Sequence, residues 1–227
     1  DPGPLYSAES DAGQRVVVPY LRGLGIGRVD MLMVTHSDSD HAGGTASVRA
    51  ALTVDEVRTS VAGIGGQPCI AGQRWVWDGV AFEILHPTAE AYPVAGKANH
   101  ASCVLRVEAA GRRILLTSDI ESPDEVALLQ QNPVGLAADV LLVPHHGSKT
   151  SSTPAFLQAV GATQAIIPVG YRNRFGHPKA EVVERFTTAG TNLWRTDRDG
   201  ALSVSLGPGG VSTSAWRAEG RRYWHGR

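Results

Sequence analysis

Apolar side chains fall in short bursts along this chain, and their spacing switches repeatedly between the period of a helix and that of a strand. Val17, Tyr20, Leu21 and Leu24 recur every three or four positions between a capping Ser10 or Asp11 and Gly25, which predicts an amphipathic helix. The mostly apolar run Val29-Asp30-Met31-Leu32-Met33-Val34 reads as a strand. A short helix from Ala42-Gly43-Gly44 to about Leu52 follows, then a strand over 54–60 and a Gly-rich loop to Gly72. Alternation over 75–77 and 80–85 around Asp78-Gly79 predicts a hairpin, and a second joins 103–109 to 113–117 across Gly111. Ser122-Pro123-Asp124-Glu125 has the spacing of a capping box with Pro at the first helical position, opening a helix to about Gln131. The remaining pattern predicts a strand at 140–143, a helix at 153–160, a strand at 165–169, a helix at 179–189 and a closing strand pair at 193–196 and 201–206.

Long hairpins mixed with strand–helix units suit two sheets packed face to face with helices outside. One domain over residues 1–206 is the simplest division, with 207–227 a Gly-rich and then basic strand or tail. A chain of 227 residues with 42% hydrophobic content can bury one sizeable core. Its 21 Lys and Arg against 22 Asp and Glu leave a net charge of −1, so no global positive field favours nucleic acid or an anionic membrane, and a polyanionic substrate must be held locally. No apolar run approaches the roughly 18 residues of a membrane span and no leader is visible, so the chain itself reads as soluble. It opens on Asp1-Pro2-Gly3-Pro4 rather than Met, and is expected to be a fragment of something larger. Cys69 and Cys103 are too few for a zinc knuckle. They are expected as buried free thiols, since a disulfide needs an oxidising compartment and suitable geometry.

The candidate chemistry lies where strands end. In His36-Ser37-Asp38-Ser39-Asp40-His41, four of six residues are metal-ligand types. An extended backbone lets His36, Asp38 and Asp40 share one face, while a turn at Asp40 and His41 aims that pair at a second, adjacent position. Asp40 counts as both ligand and catalytic residue. The competing structural role, Asp38 or Asp40 capping the helix near Gly43, accounts for one carboxylate and not for four ligand types. Mixed imidazole and carboxylate ligation fits zinc, manganese or iron, and each oxygen donor moves preference toward manganese. Two ions about 3.5–4 Å apart would serve in-line attack at phosphorus or carbon, with a bridging carboxylate from elsewhere. Asp119, closing Leu115-Leu116-Thr117-Ser118-Asp119, can supply it.

Leu141-Leu142-Val143-Pro144-His145-His146-Gly147-Ser148-Lys149 is a third strand ending in such residues. One histidine binds metal and the other faces substrate; His145 is assigned to metal and His146 to catalysis, although the sequence leaves the choice open. Ser148, Lys149 and Ser151 are substrate-binding candidates, and Ser151-Ser152-Thr153 opens a helix whose N–H groups favour an anion such as phosphate. His177 in Asn173-Arg174-Phe175-Gly176-His177-Pro178, beside Arg172, is a substrate or proton-transfer candidate, and Arg174 a substrate contact. His86, His225 and the tryptophans read as packing or surface features.

In this order the motifs resemble the metallo-β-lactamase superfamily and, within it, the C-terminal domain of the ComEC family of DNA-internalisation competence proteins. The resemblance runs from Asp1-Pro2-Gly3-Pro4 through the His/Asp cluster, Asn99-His100-Ala101-Ser102, Leu116-Thr117-Ser118-Asp119, Pro144-His145-His146-Gly147-Ser148 and Phe175-Gly176-His177-Pro178. It implies an α+β fold, a four-layer αββα sandwich with the metals at one edge, with Asp1 as supporting acid and with the opening strands missing ahead of it. Two departures bear on the metal. The superfamily usually has His where Asp38 stands, and another metal His near Asn99-His100, where competence relatives resemble Asn-x-x-Ser; Asn99 and Ser102 then become substrate contacts, and His100 ranks below His145. Two divalent ions are implied, with manganese favoured and zinc possible.

The resemblance further implies a metal-dependent nuclease, a phosphodiesterase degrading the DNA strand that is not imported in natural transformation. It would act on single-stranded DNA at the extracytoplasmic, periplasmic face of the inner membrane, joined to a membrane channel of the same polypeptide and working with other DNA-uptake proteins. Two further readings are a phosphodiesterase on a small or cell-wall phosphoester, and a vestigial module holding DNA or a channel partner.

Overall fold

The computed structural model describes residues 1–92 and 97–220, so His225 and the end of the expected tail lie outside the described residues. The chain divides into two compact units, one of Asp1–Gln73 with Ile84–Cys103 and the other of Arg74–Glu83 with Val104–Arg227.

In the first unit β1 (Leu5–Ser7) and β2 (Ser10–Asp11) form a small antiparallel pair. A π-helical turn, Gly13–Val17, runs into α1 (Val18–Gly23). The N-cap is Ala12, which makes no side-chain cap bond, rather than Ser10 or Asp11, although Asp11 Oδ1 accepts from Gln14 N at 2.8 Å. Half of the predicted apolar stripe faces the core: Val17 and Leu21 pack against it, but Tyr20 and Leu24 are 66% and 59% exposed, while Val18 is buried. A π turn closes its hydrogen bonds over one more residue than an α turn and so rotates the buried face. Val18 packs with Leu32, Val34, Val48 and Leu52 in the core of this unit.

Next come β3 (Arg28–Val34), the single turn α2 (Ser39–Ala42), α3 (Thr45–Ala51), β4 (Thr53–Thr59) and β5 (Gln67–Pro68). The three strands form a parallel sheet in the order β3-β4-β5. Cys69 N donates to Thr59 O and Cys103 N to Thr35 O, at the ends of adjacent strands. That anchoring brings the two Cα atoms to 6.0 Å, and the cysteines are joined in a disulfide. The expectation of two free thiols is corrected; residues 34 positions apart are brought together by the sheet, which spacing alone does not reveal.

The second unit holds β6 (Arg74–Trp77), β7 (Val80–His86, whose last three residues belong to the first unit), β8 (Val104–Ala109), β9 (Arg112–Leu116), α4 (Ser122–Gln131), β10 (Val140–Leu142), α5 (Pro154–Val160), β11 (Gln164–Ile167), α6 (Ala180–Thr188), β12 (Asn192–Arg195), β13 (Leu202–Gly207) and β14 (Gly210–Ala215). Its seven-stranded sheet has the order β12-β11-β10-β9-β8-β7-β6. Both hairpin turns take positive φ at two central residues, Asp78-Gly79 and Ala110-Gly111, the geometry that matches the twist of the flanking strands. From β9 to β12 the ladder is parallel, and its strands are buried: Leu115, Val140, Leu141, Ala165 and Ile167 are at most 1% exposed, as expected where helices complete each crossover.

Two expectations shift here. The closing pair is not a pair: β12 follows helix α6 and so lies parallel beside β11, as a crossover connection requires, whereas β13 pairs with β14, within the expected tail. The capping box is displaced by one residue, with Glu121 as N-cap and Asp124 returning a bond to Glu121 N at 2.9 Å. Ser122 is drawn away to Thr150 O at 2.7 Å, and Glu125 is buried and bonded elsewhere. No described helix is long and apolar enough to cross a membrane.

Candidate metal centre

Strand β3 delivers the chain to Thr35 and His36, and the six-residue cluster begins where its ladder ends. Thr35 Oγ1 donates to Asp1 Oδ2 at 2.9 Å, and Thr35 N donates to Asp1 Oδ1 at 2.8 Å. A hydroxyl has one proton, so the contact of 3.1 Å between Thr35 Oγ1 and His36 Nδ1 requires Nδ1–H as donor. His41 Nδ1 lies 3.0 Å from the same Asp1 carboxylate and donates to it. With Nδ1 as donor, each ring in its neutral form presents an unprotonated Nε2, the form that ligates metal. Their ring centroids are 4.1 Å apart. Asp38 Oδ2 is 3.8 Å from His36 Nε2, and Asp40 Oδ2 is 3.9 Å from His41 Nε2. Ligand atoms on one ion with bonds of about 2.0–2.2 Å sit a few ångströms apart, so this His/Asp cluster is compatible with a divalent ion.

Asp38 occupies the N-cap position of α2 but makes no side-chain cap bond there, so the capping role weighed for it is not used. Gly43 and Gly44 admit close backbone approach: a Cβ on Gly44 would lie 2.4 Å from Pro2 O and 2.5 Å from Gly13 N. Asn99 lies on a 3-10 turn, Ala98–Ala101, and Ser102 is its C-cap, followed by Cys103, whose N donates to Thr35 O. His100 contributes its carbonyl, which accepts from buried His86 Nε2 at 3.0 Å, so His86 has the packing role expected of it.

In the second unit β9 ends in Thr117, whose hydroxyl donates to Leu142 O at 2.6 Å. Ser118 then takes a left-handed φ of 50° and buried Asp119 follows. After β10, His145 and His146 are also left-handed, at φ 49° and 54°. Such backbone costs roughly 1–3 kcal/mol per residue and clusters at functional sites. His145 N donates to Ser118 O at 3.1 Å, tying the two loops. Gly147 has no room for a Cβ, which would come within 2.6 Å of Pro178, and its carbonyl accepts from Lys179 N at 2.9 Å. The His-His-Gly and His-Pro motifs are thus fitted to each other.

The two histidines differ. His146 Nδ1 is 2.6 Å from Pro168 O and must donate to it, so the neutral ring carries its lone pair on Nε2, 3.4 Å from Asp119 Oδ2. His145 Nδ1 instead faces Glu121 Oε1 at 3.4 Å and Thr150 Oγ1 at 3.3 Å. Asp40 with His41 in one unit, and Asp119 with His146 in the other, are carboxylate–imidazole pairs suited to a divalent ion. Thr35, Glu121, Thr150 and the Pro168 carbonyl, which orient these groups, were not singled out from sequence. Thr35 had adjacency to His36 as a signal; a backbone carbonyl offers none.

His177 is held by Asn173, whose side chain accepts from His177 N at 2.9 Å and donates to His177 O at 2.7 Å. Its ring lies 6.0 Å from that of His145. Burial first, and then the positive potential of His145, Lys179 and His146, holds its pKa below 6.5, against an opposing pull from Asp119. It is therefore neutral at pH 7. Lys149 and Arg174 are exposed, whereas Ser148 is buried with its hydroxyl 3.0 Å from Thr150 Oγ1. Ser151 is buried, and its hydroxyl is spent on Pro144 O and Ser148 O. The expected anion site at the start of α5 is already filled from within: Ser152 N and Thr153 N donate to buried Glu125 at 2.5 and 2.9 Å. An internal carboxylate satisfies the groups that a phosphate would have used.

The model of the metallo-β-lactamase superfamily matches residues 1–171. Competence protein ComA of Neisseria gonorrhoeae is 39% identical over 213 residues, covering 94% of this chain and 30% of that protein. ComE operon protein 3 of Bacillus subtilis is 30% identical over 207 residues, covering 84% of this chain and 26% of that protein. The chain therefore spans less than a third of either relative, and the resemblance to competence proteins is borne out. A solved structure described as a metal-dependent hydrolase, from Parabacteroides distasonis, superposes with a TM-score of 0.50 at 14% identity, over 76% of this chain and 78% of that one. This likeness carries the α+β fold alone. On the match over residues 1–171, the chain belongs to the metallo-β-lactamase superfamily.

Proposed function

We propose that this chain is the metal-dependent phosphodiesterase domain of a DNA-uptake protein and cleaves the strand that is not imported. The observation that carries this reading is the state of two imidazoles: His41 donates Nδ1–H to Asp1 and His146 donates it to Pro168 O, so each presents Nε2 beside a carboxylate. His36, Asp38, Asp40 and His41, together with Asp119 and His146, are the proposed donors to two divalent ions, a set supported by superfamily membership. The metal role expected of His145 is proposed here for His146, because Pro168 O holds the His146 Nδ1 proton while its Nε2 faces Asp119, whereas His145 meets Glu121 and Thr150 through Nδ1. The high carboxylate share favours manganese over zinc. Bound ions would neutralise charge on a phosphodiester and activate water.

The chain's own groups supply the rest. His177, neutral at pH 7 and held by Asn173, is placed to accept a proton. His145, in contact with Glu121 and Thr150, faces substrate in this reading. Lys149 and Arg174 are exposed cations for phosphate, and Asn99 and Ser102 stay proposed substrate contacts. Ser151 leaves that group because its hydroxyl is used internally.

DNA as substrate is supported by the relative named Competence protein ComA and by local charge. Residues 140–180 contain no Asp or Glu but carry Lys149, Arg172, Arg174 and Lys179. An extracytoplasmic position, with a membrane channel in the same polypeptide, is supported by the Cys69–Cys103 disulfide, which belongs to oxidising compartments. Asp38→Ala with Asp40→Ala is expected to abolish manganese-dependent cleavage of single-stranded DNA, and unchanged cleavage by that double variant would overturn the proposal. Hydrolysis of bis-p-nitrophenyl phosphate without DNA cleavage would point instead to a small phosphoester.

A further inference from the structure

Between β11 and α6, residues 170–177 form a loop that carries more than His177. Tyr171 and Phe175 are 67% and 58% exposed, a large apolar area to leave in water unless something covers it. The Arg172 guanidinium lies 5.2 Å from the Tyr171 ring centroid and that of Arg174 lies 4.9 Å from the Phe175 centroid. Phe175 is in turn near-parallel to His177, with centroids 5.9 Å apart and planes 16° apart. The loop is built rather than loose. Asn173 Nδ2 donates to Gly170 O and His177 O, and Lys179 Nζ donates to Phe175 O at 2.7 Å.

Alternating aromatic rings and cations in a stretch without acidic residues are the chemistry of single-stranded nucleic acid binding. Ring faces stack unpaired bases of any sequence, and cations follow the phosphates. A duplex keeps its base faces covered and could use the cations alone. An exposed cation–π contact is weak, so Arg172 and Arg174 can exchange a ring for a phosphate when a strand arrives. Resting on the DNA reading above, we propose that this loop is the base-stacking platform beside the candidate site. Tyr171 and Phe175 take unpaired bases of a single strand, and Arg172 and Arg174 hold the phosphates between them. Because Asn173 ties the loop to His177, a strand seated on the rings runs past the His145, His146 and His177 group.

The test is fluorescence anisotropy of the full chain in EDTA with three probes: a short oligothymidylate, an abasic deoxyribose-phosphate chain of equal length, and the matching duplex. The native chain should prefer the base-bearing strand to the abasic one by about tenfold per stacked base. Tyr171→Ala with Phe175→Ala should erase that preference, and Phe175→Trp should keep it. Equal binding of the abasic chain or the duplex by the native protein, or a preference that survives the double substitution, overturns the platform. Cleavage plays no part in the readout, so a protein that stacks bases but never cuts DNA overturns the proposed function and leaves the platform standing. Cleavage without any base preference does the reverse.

Discussion

An imidazole ligates through one nitrogen only when the other nitrogen's proton has a home, and here that home is a carboxylate for His41 and a carbonyl for His146. Asp1→Asn keeps the size of the side chain but offers its amide hydrogens, or a weaker acceptor, to His41 Nδ1. Manganese affinity measured by calorimetry should then fall about 10–100-fold, and an unchanged isotherm would remove Asp1 from its supporting role. His146→Ala should cost more metal affinity than His145→Ala in the same measurement; the opposite order would restore the sequence-based assignment of His145. For His177 the linkage has a definite sign. Its folded pKa lies below 6.5, so the unfolded chain takes up a proton before the folded one does. Its contribution is present above pH 6.5 and is lost as pH falls through the folded value. Urea midpoints should therefore decline on the acid side of 6.5, and His177→Asn should flatten that decline.

Elements carry their own chemistry to these residues. Helix α5 starts at Pro154 with Thr153 Oγ1 accepting from Phe156 N, as its sequence suggests, but the two N–H groups ahead of it are held by Glu125 from α4. Burial pushes the Glu125 carboxyl up, while its bonds to Thr153 and Ser152 and the nearby Arg185 guanidinium oppose that rise. Glu125→Ala would leave two buried donors without partners and should destabilise the protein by about 2–3 kcal/mol in urea unfolding. Glu125→Gln, which keeps one acceptor, should cost less; equal losses would show that the site is filled by bulk alone. The same arrangement explains why Ser122-Pro123-Asp124-Glu125 misleads as a capping box. Its Glu answers to α5 rather than to its own helix, and nothing local in the sequence records that. The stripe of the first helix holds at Val17 and Leu21 but misses at Tyr20 and Leu24 for a comparable reason, since a π turn changes the phase that a regular 3.6-residue period assumes.

At the scale of the whole molecule the two units interleave in sequence. The described tryptophans, Trp75, Trp77, Trp194 and Trp216, all lie in the second unit, and the loop closed by the Cys69–Cys103 bond, whose two ends belong to the first, runs through Arg74–Glu83 and so carries two of them. A cross-link over 34 positions stabilises by up to about 4 kcal/mol in the chain-entropy view. Reduction should thus lower the urea midpoint read by tryptophan fluorescence and by far-ultraviolet ellipticity alike, and an unchanged midpoint would count against a stabilising role for the bond. Hydrophobic period and turn residues on their own determined the number, type and order of most elements, because those signals act over a few neighbours: the Asp78-Gly79 hairpin and the strands ending at His36, Asp119 and His145 were all legible. Local composition also marked His36, Asp38, Asp40, His41, Asp119, His145, His146 and His177 as the candidate chemical residues. What tertiary structure alone decided were the long-range pairings: β12 with β11 rather than with β13, Cys69 with Cys103, Glu125 with the start of α5, and Pro168 O rather than a side chain as the partner of His146. Each depends on which chain segments pack together, and the free energy that selects such a pair belongs to the folded core, not to the residues on either side of it in sequence.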